Sequence, residues 1–325
     1  MTGEKAMPTQ SAPLTEIAIT DEDTQAQRES QRSHSLRHDA LLVLITLIWG
    51  GTFLVVKDTV RLSGPFTYLT LSYGIGSLTL ALIFHRRLRR ITRAELMSGF
   101  ILGIILFAGY ALQTVGLQYT TVSKAGFITG LSVPLVPVFA FLLLRQRPTQ
   151  GAILGIVLSL TGLLLLSFNN KFNLAFGLGE MLIFGAAIAF ALHIVNASKF
   201  APQADAINLA IVQLSLTSLL SFIAIPIARE PFMMPPLVVW ASVLFMGVVD
   251  IAFTLSMMIW VQQIVSGTRA ALIYALEPMW AALFGYLLAG DKLSLLAWIG
   301  CGFILAGMIM GRVGRIRLSL GKRTA

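Results

Sequence analysis

The sequence predicts an all-α integral membrane protein, with ten transmembrane helices arranged as two inverted five-helix repeats. Three observations predict it. Hydrophobic residues make up 56% of the 325-residue chain and charged residues 12%, too few charges to dress the surface of a water-soluble fold of this size. From Asp39 onward, uncharged stretches follow one another at 40–56, 62–84, 96–123, 125–144, 148–170, 181–198, 206–228, 231–249, 251–268 and 293–311. A helix of roughly 20 such residues crosses a hydrocarbon core and satisfies its own backbone hydrogen bonds there. Finally, the first and second halves of the chain resemble each other at a near-constant offset.

Residues 1–38 are polar and rich in Ser, Thr, Gln, Glu and Asp, which predicts a disordered cytoplasmic tail. They contain no apolar run, so no signal peptide is expected. The ten helices are placed near 40–58, 65–85, 96–117, 122–144, 149–168, 178–199, 206–227, 237–261, 268–289 and 293–312. Pro65, Pro148 and the pair Pro235–Pro236 lie at helix starts, where the missing N–H costs nothing. Pro134, Pro137 and Pro278 fall inside predicted helices. Each frees a backbone carbonyl there, which makes all three candidate kinks and hinges. Residues 39–170 form the first half, 171–312 the second, and 313–325 a basic cytoplasmic tail. Loops of a few residues leave no room for an extramembrane domain.

The chain carries 24 Lys and Arg against 15 Asp and Glu, a net charge of +9. With the N-terminus in the cytoplasm, 18 of the 24 basic residues fall on the cytoplasmic side, including Arg86, Arg87, Arg89, Arg90 and Arg93. That asymmetry predicts a multi-pass protein of the cell (plasma) membrane with both termini cytoplasmic. The positive charge is thus a topology signal, and no nucleic-acid partner is expected. The one cysteine, Cys301, excludes an internal disulfide. No HExxH, P-loop or nucleophile elbow is present, so neither an enzyme nor an ATP-driven pump is expected. The four histidines (His34, His38, His85 and His193) are scattered, and neither a metal nor a cofactor is expected.

The internal similarity is specific in its polar positions. A shift of 145 residues pairs Gln118 with Gln263, Lys124 with Arg269, Ala125 with Ala270, Gly155 with Gly300 and Gly162 with Gly307. The first helix of each half aligns better at a shift of 141, which pairs Asp39 with Glu180 and Trp49 with Phe190. Five helices is an odd number, so the second half enters the membrane inverted. Inverted repeats are typical of secondary transporters, with the substrate site between the halves near the midplane.

Short motifs carry a family resemblance. Leu47-Ile48-Trp49-Gly50-Gly51-Thr52-Phe53 resembles the opening Trp-Gly helix of EamA-type transporters in the drug/metabolite transporter superfamily. Gly116-Leu117-Gln118-Tyr119-Thr120, leading into Lys124-Ala125-Gly126-Phe127-Ile128-Thr129-Gly130, is similar as well. So are Leu276-Glu277-Pro278 and Ala289-Gly290-Asp291 in the second half. The resemblance covers about residues 40–312. It implies ten helices in two inverted repeats and the movement of small metabolites, often outward. The sequence departs from the family where Gln146 replaces a frequent Glu, and where His193 and Asp250 stand in commonly apolar spans. The expected function is a secondary transporter of small organic metabolites, such as an exporter of amino acids or drugs, working by alternating access. The alternatives are a membrane-embedded lipid-modifying enzyme and a non-transporting scaffold. The enzyme would need clustered catalytic groups at one interface, and the arginine loop offers only His85 beside it.

Ionisable groups inside the spans are the first candidates for function. A carboxylate at mid-span costs about 2.5–3.5 kcal/mol to insert, so each should face a cavity or a partner. Asp250 lies mid-helix and is a candidate proton site or cation counter-charge. Glu277, next to Pro278, either supports a broken helix or couples protons to transport. Glu180 sits near a helix end, and His193 shares a face with Asn196. The resemblance places the helices of Trp49, Tyr110, Trp260 and Tyr274 around a central cavity, where aromatic faces suit organic molecules and cations. Gln113 and Gln118 lie one to two turns from Tyr110, whereas Trp240 and Trp298 suit an interfacial belt. The predicted substrate cavity is therefore Trp49, Tyr110, Gln113, His193, Asp250, Tyr274 and Glu277. The expected partners are a small-molecule substrate and the lipid bilayer. Gly151, Gly155 and Ser159 on helix 5, and Gly307 and Gly311 on helix 10, form small-residue faces that either pair within the chain or build a homodimer seam.

Overall fold

The computed structural model describes residues 21–168, 177–231, 235–288 and 293–321. The chain divides into two units, Met1–His38 and Asp39–Ala325. In the first, the backbone of residues 21–38 is helical, where the sequence predicts a disordered tail. That segment contains Glu, Gln, Ala and Arg and no Gly or Pro, so nothing in it stops a helix. All that follows concerns the second unit.

Among the described residues every regular element is helical. The elements are α1 (Asp21–Ser63), α2 (Pro65–Ile83), α3 (Arg93–Gly116), α4 (Val122–Gly130), α5 (Ser132–Leu144), α6 (Gln150–Phe168), α7 (Leu178–Phe200) and α8 (Ala206–Ile227). Then follow α9 (Leu237–Phe245), a π-helical stretch (Met246–Phe253), α10 (Thr254–Gln262), α11 (Gly267–Tyr274), α12 (Glu277–Leu288) and α13 (Leu295–Gly321). The helical backbone of α13 enters the predicted basic tail, whose last residues, 322–325, lie outside the described residues. So does the Ala289-Gly290-Asp291 motif.

Six helical segments are long and apolar enough to cross a membrane: Pro65–Ile83, Arg93–Gly116, Lys124–Leu144, Leu178–Gln203, Ala206–Ile227 and Leu237–Gln262. A seventh follows if Leu36–Thr52 and Val55–Ser63 count as one, and Gln150–Leu166 and Leu295–Gly311 are shorter apolar helices. Their outer faces are apolar: Leu82 is 66% exposed, Leu142 64% and Leu237 85%. Such surfaces belong in lipid. The chain is a multi-pass helical membrane protein.

Two predicted helices are broken, each for the same reason. Helix 122–144 stops at Gly130 and restarts at Ser132, and helix 268–289 stops at Tyr274 and restarts at Glu277. Gly130 is four residues before Pro134, and Tyr274 is four before Pro278. A proline offers no N–H to the carbonyl four residues back, and its ring clashes with that carbonyl. Pro137 is instead carried inside α5. A third departure is the π-helical stretch Met246–Phe253 within the predicted helix 237–261.

Glycine faces set the closest packing. α6 and α13 lie together inside one chain along the two small-residue faces noted in the sequence. A Cβ placed on Gly162 would stand 2.5 Å from the Gly300 carbonyl oxygen, and one on Gly155 2.6 Å from that of Gly307. Backbone touches backbone along this seam.

Carboxylates hold α8 at both ends, Glu230 to antiparallel α2 and Glu95 to α3. At one end Glu230 accepts from the backbone N–H of Phe66 (2.8 Å) and of Thr67 (2.9 Å) and from the Thr67 hydroxyl (2.9 Å). These N–H groups open α2 and have no partner in the helix itself. At the other end Glu95 accepts from the Asp205 N–H (2.9 Å) and the Asn208 amide (3.3 Å) at the start of α8. It also closes a capping box with Thr92. Glu230→Ala is expected to destabilise the protein by about 2–3 kcal/mol, since it strands charge-assisted hydrogen bonds at a helix start. Thermal melting in detergent measures this. Glu230→Gln, which keeps an acceptor oxygen, is expected to lose about half as much.

Candidate functional site

A cavity lies among the helices. It draws Trp49 and Thr52 from α1, Tyr68 and Tyr73 from α2, and Tyr110 and Gln113 from α3. Thr129 comes from α4, Ser132 from α5, Phe190 and His193 from α7, and Asp250 from the π-helical stretch. Tyr274 closes α11 and Glu277 opens α12. The structure thus brings the seven residues of the predicted cavity to one place. The helix break at Pro278 puts both Tyr274 and Glu277 there, and the break at Pro134 does the same for Thr129 and Ser132.

Aromatic rings form much of the wall. Trp49 and Tyr274 lie with ring centroids 5.3 Å apart. Tyr110 stands edge-on to Tyr73 at 5.3 Å and to Phe190 at 4.9 Å. The motif Trp49-Gly50 divides its work. Trp49 faces the cavity, while Gly50 lets α1 lie on α12, where a Cβ would stand 2.9 Å from the Glu277 carbonyl oxygen. The indole N–H of Trp49 donates to Thr254 Oγ1 at 3.2 Å. The Thr254 hydroxyl donates in turn to the backbone carbonyl of Asp250. This relay fixes the ring relative to the carboxyl-bearing turn.

Polar groups are few and mostly engaged. His193 Nε2 pairs with Gln213 Oε1 at 2.8 Å, and Gln113 Nε2 donates to Thr129 Oγ1 at 3.2 Å. Asp250 is 8% exposed, and its Oδ1 has no hydrogen-bond partner among the described residues. The hydroxyl of Tyr274 is in the same position. Two carboxyls, Asp250 and Glu277, line the cavity, and no lysine or arginine does so among the described residues. A π-helical turn is often found at a functional site because its irregular hydrogen bonding re-aims one side chain, and here that stretch carries Asp250.

Two expectations need correction, whereas Glu180 lies near a helix end as expected. Trp260 lies off the cavity and is 40% exposed, because two residues along a helix from the cavity-lining Met258 turn it to the opposite face. Gln118 does not line the cavity either. Glu180 lies at one end of the bundle, where it receives Lys124 Nζ at 3.2 Å and the Thr120 hydroxyl at 2.7 Å. Lys57 reaches the same corner, donating to the Thr120 carbonyl at 3.3 Å. A second, half-buried ion pair joins Arg269 to Asp39. Asp39 and Lys57 are some 18 residues apart on α1, which is roughly 25 Å along a helix, so the two pairs mark opposite ends. They are also related by the internal repeat, since Lys124 pairs with Arg269 and Glu180 with Asp39.

Thr52, Tyr68, Tyr73, Thr129, Ser132 and Phe190 are cavity residues that sequence reasoning missed. A signal for four of them existed. The 145-residue shift maps Tyr274 onto Thr129 and Glu277 onto Ser132, and the 141-residue shift maps Trp49 onto Phe190 and Thr52 onto His193. Tyr68 and Tyr73 had no such signal.

A multi-pass helical bundle thus encloses an aromatic-walled chamber, and comparison with known proteins identifies its class. Residues 36–168 match the EamA-like transporter family, and residues 177–311 match it a second time. The chain belongs to this family and is a membrane transporter. It is 29% identical to an uncharacterized transporter of Archaeoglobus fulgidus over 84% of each chain. It is 25% identical to the uncharacterized transporter YoaV of Bacillus subtilis, over 83% of this chain and 94% of that one. It is 22% identical to the uncharacterized inner membrane transporter YedA of Escherichia coli, over 84% and 90% of the two chains. A crystal structure sharing 18% identity superposes with a TM-score of 0.72, covering 86% of this chain and 98% of that one; the two share a fold.

Proposed function

We propose that the protein is a secondary transporter of small organic metabolites. It works by alternating access between two inverted five-helix halves, 39–170 and 171–312, in the plasma membrane with both termini cytoplasmic. The observation that carries this reading is the repeat-related pairing of residues. Thr129 with Tyr274, Ser132 with Glu277 and Trp49 with Phe190 meet at one cavity, and Lys124–Glu180 and Arg269–Asp39 stand at opposite ends of it. Each ion pair joins one half to the other. Opening the cavity to the outside separates the first pair, and opening it to the cytoplasm separates the second. The double family match supports the duplication. The ten spans of this reading are the six long apolar segments, the bent α1, the shorter α6 and α13, and the broken α11–α12. Pro134, Pro137 and Pro278 lie on the elements that would flex, and Asp250 or Glu277 would couple transport to protons.

The test uses the single native cysteine. In a Cys301→Ser background, Ser132→Cys places one thiol on the cavity wall. Its labelling by a membrane-impermeant maleimide is followed in right-side-out and inside-out vesicles. Lys124→Gln is expected to speed labelling from outside and slow it from the cytoplasm, and Arg269→Gln to do the reverse. The loss of about 1 kcal/mol from one end shifts a two-state ratio about fivefold. Rates that stay unchanged from both faces in both variants would defeat the alternating-access reading.

A further inference from the structure

We propose that the cavity's ligand is an organic cation, a protonated amine carried on a small aromatic or apolar body, with the Asp250 carboxylate as its counter-charge. This rests on the reading of the cavity as the transport site and adds the chemical class of what it carries.

The argument begins with what the cavity lacks. A buried carboxyl oxygen without a partner is costly, and proteins normally relieve that cost with a nearby cation or hydrogen-bond donors. Asp250 Oδ1 has neither among the described residues. The basic residues Arg269 and Lys124 are held in ion pairs at the two ends of the bundle. His193 is turned to Gln213. Glu277 adds a second acidic group to the same wall. The site therefore offers two carboxyls and no lysine or arginine of its own among the described residues, which suits a bound cation.

What surrounds the carboxyls points the same way. The rings of Trp49, Tyr110 and Tyr274 line the chamber, and aromatic faces attract ammonium groups while packing on apolar ones. The Tyr274 hydroxyl, 6% exposed and without a described partner, is available to accept from an ammonium. An anionic ligand would meet two carboxyls with no guanidinium or ammonium to hold it. A zwitterion would place its own carboxylate in the same surroundings. Glu277, as the first residue of α12, already occupies the positive end of that helix, so that helix start is not open to a ligand carboxylate.

Three probes sharing a phenylethyl body separate the possibilities: phenethylamine, a cation at neutral pH; phenylalanine, a zwitterion; and 3-phenylpropionate, an anion. Each is titrated against the purified full chain, and saturable thermal stabilisation is read out. Phenethylamine is expected to bind at least about tenfold more tightly than either of the others. Asp250→Asn is expected to lose at least about tenfold in that affinity, with Asp250→Glu recovering part of it. Arg87→Gln, at a surface pair with Asp205, is expected to change nothing. Tighter binding of phenylalanine or 3-phenylpropionate overturns the proposal, as does phenethylamine binding that ignores Asp250→Asn. The wild-type ranking alone decides the matter if the asparagine variant does not fold. The two readings fail separately. Two-sided thiol labelling with no cation preference removes the substrate class and leaves the transporter. Asp250-dependent cation binding with labelling that never changes sides removes alternating access and leaves the site.

Discussion

Leucine at position 162 is expected to cost the protein its stable fold in detergent, with a fall in melting temperature of at least roughly 5 °C. The reason lies in the α6–α13 seam. A Cβ on Gly162 would stand 2.5 Å from the Gly300 carbonyl oxygen and 2.8 Å from the Ile304 nitrogen. Both are backbone atoms and neither can rotate aside. A side chain there must push two helices apart along a face where Gly155, Gly300 and Gly307 make the same approach. Overpacking a well-filled core costs about 1–3 kcal/mol, and separating the seam adds the lost contacts of the neighbouring glycines. Gly302 provides the control. It lies on α13 with nothing within 4 Å of the place a Cβ would take, and Gly302→Leu is expected to melt with the wild type. Equal melting of the two leucine variants would mean that the seam is not a tight packing face.

Charge reversal at the end of the bundle carries the second large effect. Lys124→Glu sets two carboxylates face to face at a site where Lys124 and Glu180 expose 24% and 10% of their side chains. Breaking a fully buried pair costs about 3–5 kcal/mol, and the partial exposure of Lys124 lowers the expectation to about 2–3 kcal/mol. Glu180→Lys added to Lys124→Glu restores the attraction with its polarity exchanged. The double variant is expected to regain at least half of the lost stability in a double-mutant cycle followed by thermal melting. Additive losses would show that the two side chains do not interact. The Thr120 hydroxyl, which donates to Glu180, keeps the rescue from being complete.

Much of the membrane architecture was readable from charge-free runs, because an apolar helix in lipid leaves a long, unbroken signature in sequence. The cavity was partly readable for a related reason. Asp250 and Glu277 stand out where almost every neighbour is apolar, and the cost of burying them implies a chamber. Tyr68 and Tyr73 were not readable, since a tyrosine on a membrane helix can equally face lipid, a neighbour or a cavity, and only packing decides. Trp260 illustrates the same limit in reverse. The helix breaks were foreshadowed by Pro134 and Pro278, but their position followed from the carbonyl four residues earlier rather than from the proline. The π-helical stretch around Asp250 has no Gly or Pro to announce it at the carboxyl itself. Within that stretch Gly247 crosses closely on Ser72 of α2, where a Cβ would stand 2.9 Å from the Ser72 carbonyl oxygen.

The matched positions around the chamber hold unmatched chemistry. Where the first half supplies Thr129 and Ser132, the second supplies Tyr274 and Glu277. Both acidic groups come from the second half. Under the proposed transport reading, point changes in that half would rewrite selectivity while the other half, and the crossings that hold the two together, stay as they are.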